Sequence, residues 1–376
     1  MKNLINLKSK TELSGFYMVY HGSTFIEKPG TYGISHLMEH LMCKTFEDLQ
    51  KSFDQDGIQW NAYTSSDVIC FHITGLDEYI NKWKYIFYER LKNFNVTQET
   101  LDKEKLIVLE EYKDSFNTQN EAHALNLLRK LYGDYNAIGQ RESIEAITLK
   151  DCEEHFNQQY KNPQIINVSK KNKFSLEGFV ETDLVIPEGK LKLKEKKKEV
   201  VYEKSNDFKE KSSIILVSPI VKDKDVAMVS FICKLFGFGL QSPFYQEVRE
   251  KKGLVYYIHC YLQEFNTNGS IFISSEASNE NVEEFISTIK EVMANKEKFI
   301  TQERFNSIKK YLEINFKKNE IERYNYPFKY IRQPNWDSKK LFKRKDFNLG
   351  QVLKACDKYF NPDTYYVSVD KNENWN

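Results

Sequence analysis

Two widely separated stretches of this chain follow one design. "CEEHFNQQYKNPQIINVSKK" (152–171) and "ACDKYFNPDTYYVSVDKN" (355–372) each run from a helix-like segment through an aromatic residue and Asn-Pro. Each then enters an alternating strand read as ending in Val-Ser. Proline fixes φ and offers no N–H, so in both copies it ends the helix and opens the strand. Such a repeat implies two tandem halves of similar architecture. The chain's 376 residues exceed one ordinary core and suit about two domains. The expected boundaries are a first domain over 1–175, a linker over 176–194 and a second domain over 195–376. The lysine-rich passage "PEGKLKLKEKKKEVVYEK" (187–204) reads as a solvated linker or an edge strand.

Composition removes several function classes. Hydrophobic residues at 40% and aromatics at 14% are ample for packed cores. Lys+Arg (55) nearly cancels Asp+Glu (54), so no net field draws the chain to nucleic acid or to an anionic membrane. The six cysteines form no C-x-x-C pair, which argues against a disulfide framework and fits a reducing compartment. "MKNLINLKSK" lacks the apolar run of a signal peptide, and the best apolar stretch, Val226 to Leu240, is broken by Lys234 and two glycines. A cytoplasmic, soluble protein is expected.

Within the first half, "SGFYMVYHGS" reads as a strand and residues 33–44 as a helix after Gly33. "IQWNAYTSSDVICFHIT" (58–74) alternates as one long strand, followed by a helix over 78–93. Thr97 is placed to cap a further long helix. Strands mixed with helices in this order give an α+β fold, each half a mostly antiparallel sheet covered by helices.

The segment that carries chemistry is His36-Leu37-Met38-Glu39-His40. Residues i and i+4 share a helical face, so both imidazoles can point at one ion. Zinc accepts imidazole nitrogen, and a catalytic zinc needs a third protein ligand and an open position. Glu39 can reach a water at that position without occupying a ligand's place, the requirement for a general base. Candidates for the third ligand lie in "LDKEKLIVLEEYKD", where Glu104 and Glu111 stand seven residues apart on one helical face among Leu106, Ile107 and Leu109. Carboxylates on a packed face are costly unless paired or metal-bound. Glu110 points away, towards solvent.

Together with "GSTFIEKPGTYGISHLMEH", "WNAYTSSDVICF", "EKLIVLEEY", "NAIGQRESIEAITLKDCEEHFNQQYKNPQ" and "SPFYQEVREKKGLVYY", in that order, these residues are similar to a known set. The chain resembles the zinc metallopeptidases of the pitrilysin, insulysin and mitochondrial-processing-peptidase family. The resemblance implies one Zn²⁺ per chain on His36, His40 and Glu111, with Glu39 as base and Glu104 orienting a ligand histidine. It implies that Asn61 and Ala62 lie on a strand that pairs with an extended peptide, and that Arg249 and Tyr256 polarise the scissile carbonyl. The implied substrates are peptides or unfolded polypeptides, with no nucleic acid and no membrane partner. A chain of this length corresponds to one half of the family's clamshell. It is therefore expected to form a homodimer in which Arg249 and Tyr256 serve the opposite subunit's site. The alternatives are a non-catalytic assembly subunit of the same family and one half of a heterodimer. Three departures stand out: an opening strand usual in the family is expected to be missing, the interval from His40 to Glu111 is tight, and Cys43 replaces a more familiar apolar or aromatic residue.

Overall fold

A computed structural model of the chain describes residues 2–133, 136–175, 181–184, 200–204, 211–265, 268–321 and 347–371. Apart from 181–184, the expected linker 176–194 lies outside the described residues. By contact the chain divides into two compact units. The first comprises Met1–Ser115, Asp134–Gly189 and Asn315–Trp336; the second comprises Phe116–Gly133, Lys190–Ile314 and Asp337–Asn376.

In chain order the elements before the linker are β1 (Leu4–Lys8), β2 (Leu13–His21), α1 (Ile34–Cys43), α2 (Gln50–Gln55), β3 (Gln59–Thr64) and β4 (Val68–Leu76). Then come α3 (Asp77–Leu91), α4 (Gln98–Asp114), α5 (Gln119–Tyr132), α6 (Arg141–Ala146), α7 (Leu149–Gln159) and β5 (Gln164–Ser169). After the linker come β6 (Val200–Lys204), β7 (Ser212–Val217), β8 (Val221–Lys222), α8 (Asp223–Gly237), a π-helical segment (Tyr245–Glu250), β9 (His259–Phe265) and β10 (Asn268–Ala277). The chain continues through α9 (Val282–Ala294), α10 (Lys296–Phe299), α11 (Gln302–Ile321), α12 (Leu349–Tyr359) and β11 (Tyr366–Lys371).

The first sheet runs β1-β5-β2-β4-β3 and the second runs β6-β11-β7-β10, with β8 and β9 also on β10. In each, the outer strand is parallel to the sheet's last strand in chain order, Leu4 opposite Ile165 and Val200 opposite Val367. The remaining pairs are antiparallel. Five strands of each sheet correspond, and the short β8 has no counterpart in the first, so the units are two copies of one α+β design.

β2 is buried on both faces, which is why its sequence is almost continuously apolar. Phe16, Met18 and Tyr20 join Ile69, Phe71 and Ile73 under Leu37, Met38 and Leu41 of α1. Tyr17 and Val19 point the other way, into a smaller core with Val68, Cys70, Ile166 and Val168. α5 falls with the second unit, where its His123 bonds Ser213 of β7 at 2.9 Å and Ser368 of β11 at 2.8 Å. All six cysteines are free. No helix among the described residues is long and apolar enough to cross a membrane.

Three expectations are corrected. An opening strand is present: β1 needs only five residues because it lies at the sheet edge and pairs on one side. The expected single strand over 58–74 is a hairpin of β3 and β4. Turn chemistry overrides alternation at Ser65-Ser66-Asp67, where the Ser65 N–H bonds the Val68 carbonyl at 2.8 Å and the Ser65 hydroxyl bonds Asp67 at 2.7 Å. On α4 the packed face carries Leu101, Glu104 and Val108, while Leu106 and Ile107 are 66% and 44% exposed and do not flank the carboxylates.

Candidate metal centre

α1 begins at Gly33, whose φ of +102° suits glycine and which has no side chain to cap the helix. The Glu27 carboxylate supplies the cap, accepting the Gly33 and Ser35 N–H groups at 3.0 and 2.9 Å. Burial pushes Glu27 up to about 7 despite these bonds. Gly139 packs against this turn so closely that a Cβ there would lie 2.3 Å from the Gly33 Cα. The start of α1 is thus fixed from two sides.

α1 buries Leu37, Met38, Leu41 and Met42, leaving His36 and His40 as a half-buried stripe. Their rings are 4.8 Å apart between centroids and nearly perpendicular, at 89°. α4 packs beside them, started by Thr97, whose side chain accepts the Thr100 N–H as the sequence predicts. Its Glu111 Oε2 lies 3.3 Å from His36 Nε2 and 3.5 Å from His40 Nε2. Two turns upstream, Glu104 is 3% exposed; its Oε2 lies 3.3 Å from His40 Nδ1 and its Oε1 accepts from Lys44 Nζ at 2.9 Å.

These residues fit a zinc ion. Candidate ligand atoms of His36, His40 and Glu111 all lie within 4.8 Å of one another. Two ligands on a tetrahedral zinc, with bonds of about 2.0–2.2 Å, stand about 3.3–3.5 Å apart. A neutral imidazole also carries only one N–H. His40 presents one nitrogen to Glu104 and the other to Glu111, so one of them faces a carboxylate with a lone pair unless a proton or metal cation shares the contact. Hydrogen bonding from His36, with both imidazoles nearby, holds the Glu111 carboxyl below the usual carboxylate range, which keeps it anionic.

Glu39 is 9% exposed, and its Oε2 accepts the Thr64 hydroxyl at 2.6 Å. Burial raises its pKa although Thr64 and the histidines oppose the rise. A carboxylate raised in this way is better matched to proton transfer near neutrality. Asn61 and Ala62 lie on β3, which among the described residues is an edge strand of the first sheet. The Ala62 N–H donates to the Asn61 side-chain oxygen at 2.9 Å, so it is directed away from β4.

In the second unit, Arg249 and Tyr256 come together, the guanidinium carbon 4.7 Å from the ring centroid. Tyr256 is 73% exposed.

Sequence reasoning passed over three residues that bear on the centre. Thr64 sits on the same face of β3 as Ala62, a placement its alternation contains once the strand is ended at the right residue. Lys44 follows His40 by one helical turn. Glu27 is the acid nearest a helix start that has no capping side chain.

A family model described as Insulinase (Peptidase family M16) matches residues 7–140, and one described as Peptidase M16 inactive domain matches residues 119–312. The chain is 25% identical over 286 residues to "Uncharacterized zinc protease YmxG" of Bacillus subtilis, covering 71% of this chain and 69% of that one. It is 25% identical over 277 residues to "Zinc protease PqqE" of Helicobacter pylori, covering 66% of this chain and 62% of the relative. A crystal structure of a protease from Helicobacter pylori shares the fold at a TM-score of 0.83 and 20% identity, covering 98% of this chain and 96% of that one.

Proposed function

The chain belongs to peptidase family M16, and from that premise we propose that it is a zinc-dependent endopeptidase acting on peptides or unfolded polypeptides. The observation that supports this most directly is the convergence of His36, His40 and Glu111 beside a buried, hydrogen-bonded Glu39. Zinc held there supplies Lewis acidity, which makes water a nucleophile near neutral pH. Glu39 takes the proton of the attacking water and later delivers it to the leaving amine. Thr64 fixes which Glu39 oxygen faces the reaction, and Glu104 fixes the orientation of His40. An extended substrate adds to the β3 edge, where the Ala62 N–H exchanges the Asn61 oxygen for a substrate carbonyl. Arg249 and Tyr256 donate to the scissile carbonyl and stabilise its developing negative charge.

Zinc analysis combined with cleavage of a quenched fluorescent peptide library tests the reading. One zinc per chain with cleavage is expected; a zinc-loaded protein that cleaves no peptide overturns it. In the proposed homodimer, Arg249 and Tyr256 of one copy serve the metal centre of the other. Tyr256→Phe and His36→Ala chains, each inactive alone, then regain partial activity on mixing. No recovery after verified subunit exchange rejects this arrangement.

A further inference from the structure

Arg249 is held by two rings, and only one of them has a role so far. Its guanidinium carbon lies 4.7 Å from the centroid of Tyr256 and also 4.7 Å from the centroid of Tyr245. The two rings differ in setting. Tyr256 is largely exposed, whereas Tyr245 is half-buried and follows Phe244, which is fully buried.

The backbone builds this cluster in two ways. Tyr245–Glu250 is wound as a π-helix, and the Lys251 N–H reaches the Gln246 carbonyl at 3.0 Å, five residues back. Such single turns are uncommon and recur at functional sites. The chain then reverses at Gly253, whose φ of +63° lies in the left-handed region, while the Gly253 and Leu254 N–H groups bond the Arg249 and Val248 carbonyls at 2.9 and 3.1 Å. That reversal brings Tyr256 back to Arg249. The Glu250 carboxylate stands 3.7 Å from Arg249 Nε, beyond hydrogen-bonding reach. Two aromatic faces thus flank this guanidinium, beside an ion pair with Glu250 that makes no hydrogen bond. A guanidinium stacked on a ring keeps its N–H edge free for an acceptor.

We propose that Tyr245 is a positioning residue that holds the Arg249 guanidinium by its ring face and so presents the N–H edge to a peptide carbonyl. The proposal rests on the peptidase reading of Arg249 given above. Loss of the ring lets Arg249 sample other rotamers, and misplacement of about 1 Å costs up to about 100-fold in rate. The phenolic hydroxyl is not required.

The test uses full-length Tyr245→Leu, Tyr245→Phe and Arg249→Ala chains, with two readouts. The first needs no turnover: the rate at which phenylglyoxal modifies Arg249, followed by peptide mapping. Tyr245→Leu should react several-fold faster than wild type and Tyr245→Phe at the wild-type rate, with zinc content and Tm unchanged. The second is kinetic: Tyr245→Leu should lower kcat about 10- to 100-fold with little change in KM, and Tyr245→Phe should restore it. A folded Tyr245→Leu chain with wild-type modification rate and wild-type kcat overturns the proposal. If Tyr245→Leu does not fold, Tyr245→Met takes its place under the same readouts. Should wild type and Arg249→Ala cleave equally well, the role of Arg249 falls, and the modification rates still decide whether Tyr245 holds it.

Discussion

α4 of the first unit and α11, whose residues up to Ile314 fall with the second, open on nearly the same residues, Val96-Thr97-Gln98-Glu99 and Ile300-Thr301-Gln302-Glu303. Carried along from there, Leu101 corresponds to Phe305, Glu104 to Ile308, Val108 to Leu312 and Glu111 to Asn315. Glu104 and Ile308 are equally buried, at 3% and 1%. The helix that enters each unit between its second and third matched strands differs in the same sense. α1 carries His36, Glu39 and His40, whereas Asp223–Gly237 of α8 contains neither histidine nor glutamate and packs Val229, Ile232 and Phe236 into the second core. One architecture thus tolerates either an ionisable or an apolar side chain at the same packed helix position. At Glu104 the first unit buries charge where Ile308 buries hydrocarbon, and burying charge is unfavourable unless it is paired or bound to a cation.

The difference can be broken most sharply at the ligands. Glu111→Ala, which removes what Asn315 also lacks, should leave the chain without zinc after dialysis and without measurable turnover. Retention of one zinc per chain by elemental analysis would remove Glu111 from the centre. Glu39→Gln separates the base from the metal: zinc content stays, and kcat falls about 10²- to 10⁴-fold. Glu104→Ile copies the second unit directly. Zinc affinity should drop about 10- to 100-fold, as for loss of a residue that orients a ligand. Unfolding free energy should change little, because the apolar side chain fills a buried position while Lys44, 36% exposed and also paired with Glu47, keeps water and a partner. A large loss of stability with unchanged affinity would make Glu104 a structural residue.

The smallest effect tests the second unit. His123 is fully engaged by two serine hydroxyls, and burial pushes it down to about 4, against about 6.5 for an unfolded histidine. Since the folded pKa is the lower one, the unfolded chain takes up the proton first. The contribution is complete above about pH 6.5 and is lost as pH falls towards 4, by at most about 3 kcal/mol. Urea unfolding at pH 7.5 and 5 should therefore show a shallower pH slope in His123→Gln than in wild type. Equal slopes would show that His123 is not held neutral.

Local signals made much of this readable. The spacing of His36 and His40, the Thr97 cap and the Asn162-Pro163 junction each act within a few residues and have the predicted structure. At Asn361-Pro362, by contrast, the proline opens a short 3-10 turn (Pro362–Thr364) and β11 starts only at Tyr366. What escaped depends on partners far along the chain or on departures from regular winding. Ala122, Leu127 and Leu131 say that α5 needs an apolar surface but not that the surface belongs to β7 and β11. Ser65-Ser66-Asp67 breaks a strand whose alternation continues on both sides. The π-helical winding of Tyr245–Glu250 has no periodic signature in the sequence.

The strand orders also set a timetable for synthesis. β5 lies between β1 and β2, both made long before it, and β11 lies between β6 and β7 in the same way. A growing chain therefore holds β2 beside an empty slot until residue 169 has been made. At ~5–20 residues per second that interval is on the order of ten seconds or more. The second sheet waits likewise for residue 371. Each sheet is finished by a keystone strand pushed into place rather than laid at an edge. Chains halted before that strand arrives expose two unpaired edges at once, the condition under which nascent proteins aggregate or recruit chaperones.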